Sequence, residues 1–224
     1  MSAYDAIADW YEHEFLTRDD DPIGIDDALR VLLGPGAGAC LELGCGTGVH
    51  AARVRDLGWT PVGIDVSAGM LRHASARLPV ARADATRLPF ADATLDAAIS
   101  VMVHTDMPAY PSVLHEAARV LRPGGRFVHI GVHPCFCGGF ADRTDADAII
   151  IRPGYRTPHT TMTSWTTAGL RDKVGAAHWP LSDLLTSFHN AGLAPAAYAE
   201  GGVPTPTVFA VGAARTSGFA DVLR

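Results

Sequence analysis

Lysine is almost missing from this chain: Lys173 is the only one, and the other 17 of the 18 basic residues are arginine. With many alanines present, that bias reflects genomic base composition more than chemistry. Positive charge is in deficit, since 18 Lys and Arg against 24 Asp and Glu leave a formal net charge of −6. A basic surface able to counter a phosphate backbone is therefore not indicated, and nucleic acid is not an expected partner. Cysteine is scarce too. Cys40, Cys45, Cys135 and Cys137 are too few and too unevenly spread for a disulfide framework, which fits a reducing cytoplasm. No run approaches ~18 uninterrupted apolar residues, so no membrane-spanning helix is expected. The first residues, Met1 to Tyr11, have neither the basic n-region nor the apolar h-region of a secretory signal. The expectation is a cytoplasmic protein without a membrane partner.

What is present suffices for a packed core. The 224 residues are 48% hydrophobic, 19% charged and 8% aromatic, an ordinary globular composition. Residues 4–16 carry Tyr4, Ile7, Ala8, Tyr11 and Phe15 at helical spacing before the acidic run Asp19-Asp20-Asp21-Pro22, and residues 23–33 read as a second helix. Short apolar runs then alternate with helical segments. Strands are expected at 39–43, 60–65, near 79–83, at 95–101 and at 126–131, and helices at 48–57, 68–77 with Ser67 as cap, and 111–121. Such alternation argues for a doubly wound, Rossmann-like α/β fold on a mostly parallel sheet. Residues 132–180 break the rhythm and read as an insertion over one end of the sheet. A helix from Leu181 to Phe188 follows, and the runs 196–200 and 207–212 pair as an antiparallel C-terminal hairpin. The whole is expected to be one domain, 1–224, with an N-terminal helical cover (1–33), a lid-like insertion (132–180) and seven strands.

The sharpest motif is Leu41-Glu42-Leu43-Gly44-Cys45-Gly46-Thr47-Gly48, a strand running through Gly-x-Gly-x-Gly into a helix. Glycine there permits a tight turn and close approach of a ligand to the backbone, although a plain strand-to-helix turn uses glycine as well. Asp65, at the end of the next strand, stands where an acidic side chain can grip two ribose hydroxyls. A dinucleotide fingerprint would read Gly-x-Gly-x-x-Gly, which this loop does not.

The E-x-G-x-G-x-G pattern resembles that of the class I S-adenosylmethionine-dependent methyltransferases. The resemblance continues through Gly63-Ile-Asp65-Val-Ser67, Ala83-Asp84-Ala85 with Leu88-Pro89-Phe90, Leu95-Asp96-Ala97-Ala98-Ile99-Ser100, and Glu116-Ala-Ala-Arg119-Val-Leu-Arg-Pro-Gly-Gly125. It implies S-adenosylmethionine as cofactor. The backbone of Gly44, Cys45, Gly46, Thr47 and Gly48 would pass the methionine part with Glu42 near its ammonium, and carbonyls around Ser100 and Val101 would hold that ammonium. Asp65 would accept from both ribose hydroxyls. Val66 and Met70 would cover the adenine, unless they are simply core. Asp84 would accept from the exocyclic amine while the Ala85 N–H donates to the ring, unless Asp84 is a solvated loop carboxylate. Within the family the chain is similar to the quinone-biosynthesis C-methyltransferases and to many O- and N-methylating enzymes of specialised metabolism. The acceptor implied is a small organic molecule, handled by a monomer or homodimer.

A base is needed only if the nucleophile must lose a proton. His104, after the fourth strand, is the first candidate for base or substrate-orienting group, with a packed loop histidine as the alternative; His133 is second. His178 and Trp179 resemble the family's substrate-side lid, and Tyr4 and Tyr11 its N-terminal cover. His133-Pro-Cys135-Phe-Cys137 invites a zinc reading but lacks the spacing of a zinc knuckle, so no metal is expected there. Two other readings share the motifs: an S-adenosylmethionine-dependent cyclase, and a protein of this fold that binds the cofactor without turnover.

Overall fold

A computed structural model of the chain describes residues 2–16, 24–145, 148–164 and 168–217. Its strands are β1 (Ala39–Leu43), β2 (Thr60–Asp65), β3 (Val80–Arg82), β4 (Leu95–Val101), β5 (Leu121–Val132), β6 (Ala141–Asp142), β7 (Ile150–Ile151), β8 (Thr160–Thr161), β9 (Ala176–Ala177), β10 (Leu193–Gly201) and β11 (Val208–Arg215). Its helices are α1 (Ala8–Trp10), α2 (Ile25–Ala28), α3 (Ala51–Asp56), α4 (Ala68–Ala74), α5 (Tyr110–Val120), α6 (Leu170–Val174) and α7 (Leu181–Asn190). Seven strands form one sheet in the order β10-β11-β5-β4-β1-β2-β3. β1 to β5 run parallel, and β11 runs against both β5 and β10. This is the doubly wound, mostly parallel seven-stranded sheet with an antiparallel C-terminal hairpin that the apolar runs imply.

The central strands are apolar on both faces because both faces are covered. Successive side chains point to opposite sides, so Leu41, Leu43, Ala98 and Phe127 pack under α5 and α7, against Leu114, Val113 and Phe188. Cys40, Ala97, Ile99, Val128 and Ile130 pack on the other face with Leu29, Leu33, Val54 and Trp59. Among the described residues no helix is long and apolar enough to cross a membrane.

Three places depart from the sequence reading. The first helix is broken into a tight turn at Ala3–Ala6, α1, and a π-helical turn at Tyr11–Phe15, because Ile7 (φ −119°, ψ 6°) leaves the helical region between them. The second is α2 followed by another π-helical turn at Leu29–Leu33, stopped by Gly34 at φ 62°. The acidic run Asp19-Asp20-Asp21-Pro22 lies outside the described residues. β5 begins at Leu121 rather than after the Pro-Gly-Gly turn: Leu121 pairs with Leu95 and Arg126 with Ala97, so the turn bulges from the strand without ending it.

Helix α5 positions the segment that follows β3. Arg119 donates from Nε and Nη2 to the two oxygens of Glu116 (2.7 and 2.8 Å), and further to the carbonyls of Leu88 and Phe90 and to Asp92. Glu116 in turn accepts from the Leu88 N–H at 2.7 Å. A planar fork is needed to reach all these acceptors at once, which a lysine cannot supply. Replacing it, Arg119→Ala, is expected to cost about 1.5–3 kcal/mol of stability, the range for hydrogen bonds to charged groups, and Arg119→Lys to recover little of it. Urea denaturation of the three proteins checks this.

Candidate active site

The carboxyl ends of β1, β2 and β4 open on a cavity of ≈ 310 Å³, within the range of small-molecule sites. Ten of the residues expected from the sequence meet in its wall. Gly44 and Gly46 come from the loop after β1, Asp65 and Val66 from the end of β2, and Met70 from α4. Asp84 and Ala85 follow β3, Val101 ends β4, and Tyr4 and Tyr11 descend from the N-terminal segment. Val66 and Met70 thus both face the cavity, Met70 while otherwise buried.

The loop after β1 is built around Gly46. Its φ is +54°, and a Cβ placed there would meet nothing within 4 Å, so the backbone lies open to the cavity. In that conformation the Gly46 N–H donates to Asp65 Oδ2 at 2.9 Å, while the Ser67 N–H donates to Oδ1 at 2.8 Å. Each oxygen keeps a further lone pair for a ligand hydroxyl. Burial pushes the Asp65 carboxyl above its usual range, against the pull of those backbone donors. Ser67 also caps α4, accepting from the Met70 N–H at 3.1 Å, and is itself held by Asp5 at 2.7 Å. Asp84 accepts from the Thr86 N–H and hydroxyl through Oδ1, an Asx turn that fixes an otherwise exposed carboxylate.

Glu42 stands behind this wall, 2% exposed, with Oε2 buried and without a hydrogen-bond partner. Burial and the neighbouring Asp65 raise its pKa to about 8. An orphaned buried carboxylate beside an open glycine cradle fits a ligand that brings a positive charge. Cys45, Thr47 and Gly48 are part of the same loop but do not line the cavity. Cys45 packs under β2, where its thiol is pushed up by burial; Thr47 gives its carbonyl to Arg77 at 2.8 Å; and Gly48 (φ +78°) lies so close to Leu78 that a Cβ would come within 2.5 Å.

Residues 41–129 match the family described as the methyltransferase domain. Among curated proteins, the demethylmenaquinone methyltransferase of Mycolicibacterium paratuberculosis is 38% identical over 133 residues, 57% of this chain and 56% of that protein. The chain thus spans about half the length of that relative. A solved S-adenosylmethionine-dependent methyltransferase from Mesorhizobium loti superposes with a TM-score of 0.71 at 23% identity, covering 84% of this chain and 96% of that one. The chain has a class I methyltransferase fold. The [4+2]-cyclase SpnF shares it as well (TM-score 0.63, 20% identity, 86% of this chain and 80% of that one), so the methyltransferase fold alone does not name the reaction.

The remaining expected residues of this methyltransferase fold lie elsewhere. His104 does not line the large cavity. It is 2% exposed, with its ring 4.9 Å from that of His129 and 5.9 Å from that of Tyr110, and Nδ1 has no partner. Burial holds its pKa well below the usual value, with His129, Arg171 and His178 adding to the effect. Together with His178 and Trp179 it borders a separate void of only ≈ 10 Å³. His178 bonds the Tyr155 carbonyl at 2.6 Å, and Trp179 Nε1 is buried without a partner. His133 is further off: Nε2 meets Glu200 at 2.8 Å and Nδ1 accepts from the Cys135 N–H at 3.1 Å.

The sequence reading passed over one group in the cavity wall. Asp106 Oδ1 accepts from Tyr4 Oη at 3.0 Å and from Arg171 Nη1 at 2.5 Å, and Arg171 also reaches Thr105 Oγ1 at 2.9 Å. Burial raises the Asp106 carboxyl, partly offset by Arg171; for Arg171, burial opposes its charge but Asp106 and Tyr4 outweigh that and its pKa is raised. Burial and Asp106 also push the Tyr4 phenol up, and Tyr11 reaches about 12. Met102, beside Asp106 in the wall, takes a left-handed φ of 58°, a strain that clusters at functional positions.

The raised pKa of Glu42 has a measurable sign. Unfolded, the group titrates near 4.5; folded, near 8. The folded state therefore binds the extra proton, and stability from this group is present below pH 4.5 and declines as pH rises toward 8. The amide variant, Glu42→Gln, is expected to remove that decline and to raise the unfolding midpoint of the ligand-free protein at pH 8, but not at pH 4.5. Denaturant melts at several pH values test it.

Proposed function

We propose that this chain transfers a methyl group from S-adenosylmethionine to a small organic acceptor, as one domain, 1–224, with residues 1–33 as cover and 132–180 as lid. The observation that carries the reading is Asp65, anchored on both oxygens by backbone N–H groups and facing a cavity that the glycine loop leaves open. When bound, the cofactor supplies an electrophilic methyl on a sulfonium, and the displacement leaves a neutral thioether.

The residues then divide the work. Asp65 takes the ribose hydroxyls, Val66 and Met70 the adenine faces, and Asp84 with the Ala85 N–H the adenine edge. Glu42 and the carbonyls near Val101 balance the ammonium. Tyr4, Tyr11, Met102, Val103 and Met107 wall the space beyond and exclude water. Orientation of this kind is worth roughly 7–11 kcal/mol in well-aligned reactions. His104, closed off from the cavity, supports the Thr105–Asp106 turn from behind and does not act as the base. Asp106, with Tyr4, is the polar pair that meets the acceptor. The relative from Mycolicibacterium paratuberculosis, a demethylmenaquinone methyltransferase, supports an apolar, ring-containing acceptor.

Calorimetry with S-adenosylmethionine and S-adenosylhomocysteine should show one site for each, and binding of neither overturns the reading. Asp65→Ala is expected to weaken both by roughly 10–100-fold, the worth of a charge-assisted pair of hydrogen bonds. Asp106→Asn should instead leave cofactor affinity within a few fold and lower turnover, scored as labelled methyl incorporation over a panel of carbon, oxygen and nitrogen acceptors. Normal turnover would remove Asp106 from the acceptor site. Cofactor binding with no methyl incorporated into any acceptor would favour cyclisation or a non-catalytic role.

A further inference from the structure

A second constellation lies on the outer side of the cover, away from the cavity. Asp9 and His13 are four residues apart on the N-terminal segment and so share one of its faces. His73 faces them from the last turn of α4. His73 Nε2 is 2.9 Å from Asp9 Oδ1, and the rings of His13 and His73 meet edge to face at 5.6 Å. One ligand atom from each of the three lies within 4.8 Å of the others. The chemistry of this donor set, two imidazoles and a carboxylate, suits a borderline divalent ion such as zinc, with water completing a tetrahedron.

A cationic side chain already approaches these donors. Arg72 Nη2 stands 2.5 Å from Asp9 Oδ1 and 3.5 Å from His73 Nε2. Its side chain is 62% exposed, free to swing into solvent, whereas the three donors converge from two elements. Ligands around zinc stand roughly 3.3 Å apart, and the exposed side chains of Asp9 and His13 are free to turn toward that separation from within 4.8 Å.

We propose that Asp9, His13 and His73 form a divalent-metal site of the zinc class that staples the N-terminal cover to α4. The consequence follows from what each partner carries. Tyr4 and Tyr11, on the cover, and Met70, on α4, all line the large cavity. An ion across Asp9, His13 and His73 therefore fixes the two walls relative to one another without touching the cavity. The site is independent of the reaction performed there and stands or falls on metal binding alone.

The experiment is calorimetric titration of the full-length protein with zinc chloride, paralleled by cobalt(II) absorption as a report on geometry. Wild type is expected to bind one equivalent, and His13→Ala and His73→Ala to weaken that binding by at least roughly 100-fold, as loss of a direct ligand exceeds the effect of losing a supporting group. Arg72→Ala should tighten it by a factor of roughly 2–5, the worth of an exposed ion pair. Zinc should also slow amide hydrogen exchange over residues 8–15 in wild type but not in His73→Ala. His13 and Asp9 are exposed, so His13→Ala and Asp9→Asn serve if His73→Ala folds poorly. Equal zinc binding by wild type and both histidine variants would place the ion elsewhere, as on Cys135 and Cys137, and overturn the proposal. So would the absence of saturable binding by wild type, or binding without protection of residues 8–15.

Discussion

A single half-buried carboxylate holds the business end of this sheet together. Asp65 accepts one N–H from the loop after β1 and one from the turn after β2, so two crossovers are tied at the point where they leave the sheet. Everything nearer the cavity depends on that knot. The Gly46 amide can point at Asp65 only because the residue sits at positive φ, and that conformation is what leaves its Cα face bare. The Ser67 amide is in place because Ser67 is also the cap of α4, and its hydroxyl is in turn held by Asp5 of the N-terminal segment. One side chain thus sets the loop, the helix and, at one remove, the N-terminal segment.

The strands, the glycine loop and the Ser67 cap were legible in the sequence because they are local, whereas the bonds from Gly46 to Asp65 and from Ser67 to Asp5 join positions 19 and 62 residues apart. A buried parallel strand must be apolar on both faces, so β1 and β4 show as short continuous runs ending at glycine or at the loop after Val101. Ser67 announces its helix through the chemistry of a cap. The N-terminal segment was less legible: Tyr4, Ile7, Ala8, Tyr11 and Phe15 satisfy a helical period on average. A period cannot show that Ile7 leaves the helix or that the turn at Tyr11–Phe15 widens to π geometry. The stretch 132–180 was opaque for another reason. Its strands, β6 to β9, are two residues long, too short for any alternation, and its order comes from ring contacts among Phe140, Tyr155, His159 and His178 that span nearly forty positions.

The histidines show the same limit from the side of function. Position after β4 made His104 a natural candidate, since strand ends face the ligand crevice. The short turn His104–Asp106 instead rotates His104 into the core and leaves Asp106 on the cavity side. Burial then keeps His104 and His129 neutral, and Tyr110 bridges the His129 ring at 2.7 Å and Ser100 at 3.0 Å. A sequence cannot distinguish a histidine at a strand end from a histidine behind it. Nor can it pair Asp106 with Arg171, sixty-five residues away.

Charge explains why the two ends of the cavity differ. At one end Asp106 is matched by Arg171, so that wall is close to neutral despite its polar atoms. Around Asp65, with Glu42 behind the wall, no cationic side chain among the described residues pairs with either carboxylate, and burial makes each disfavour its own charge. An unpaired buried carboxylate is costly unless something positive arrives. The cavity is therefore electrostatically incomplete in one half and complete in the other. A ligand carrying positive charge relieves the first half. A neutral ligand is what the second half accommodates without leaving Arg171 or Asp106 unpaired.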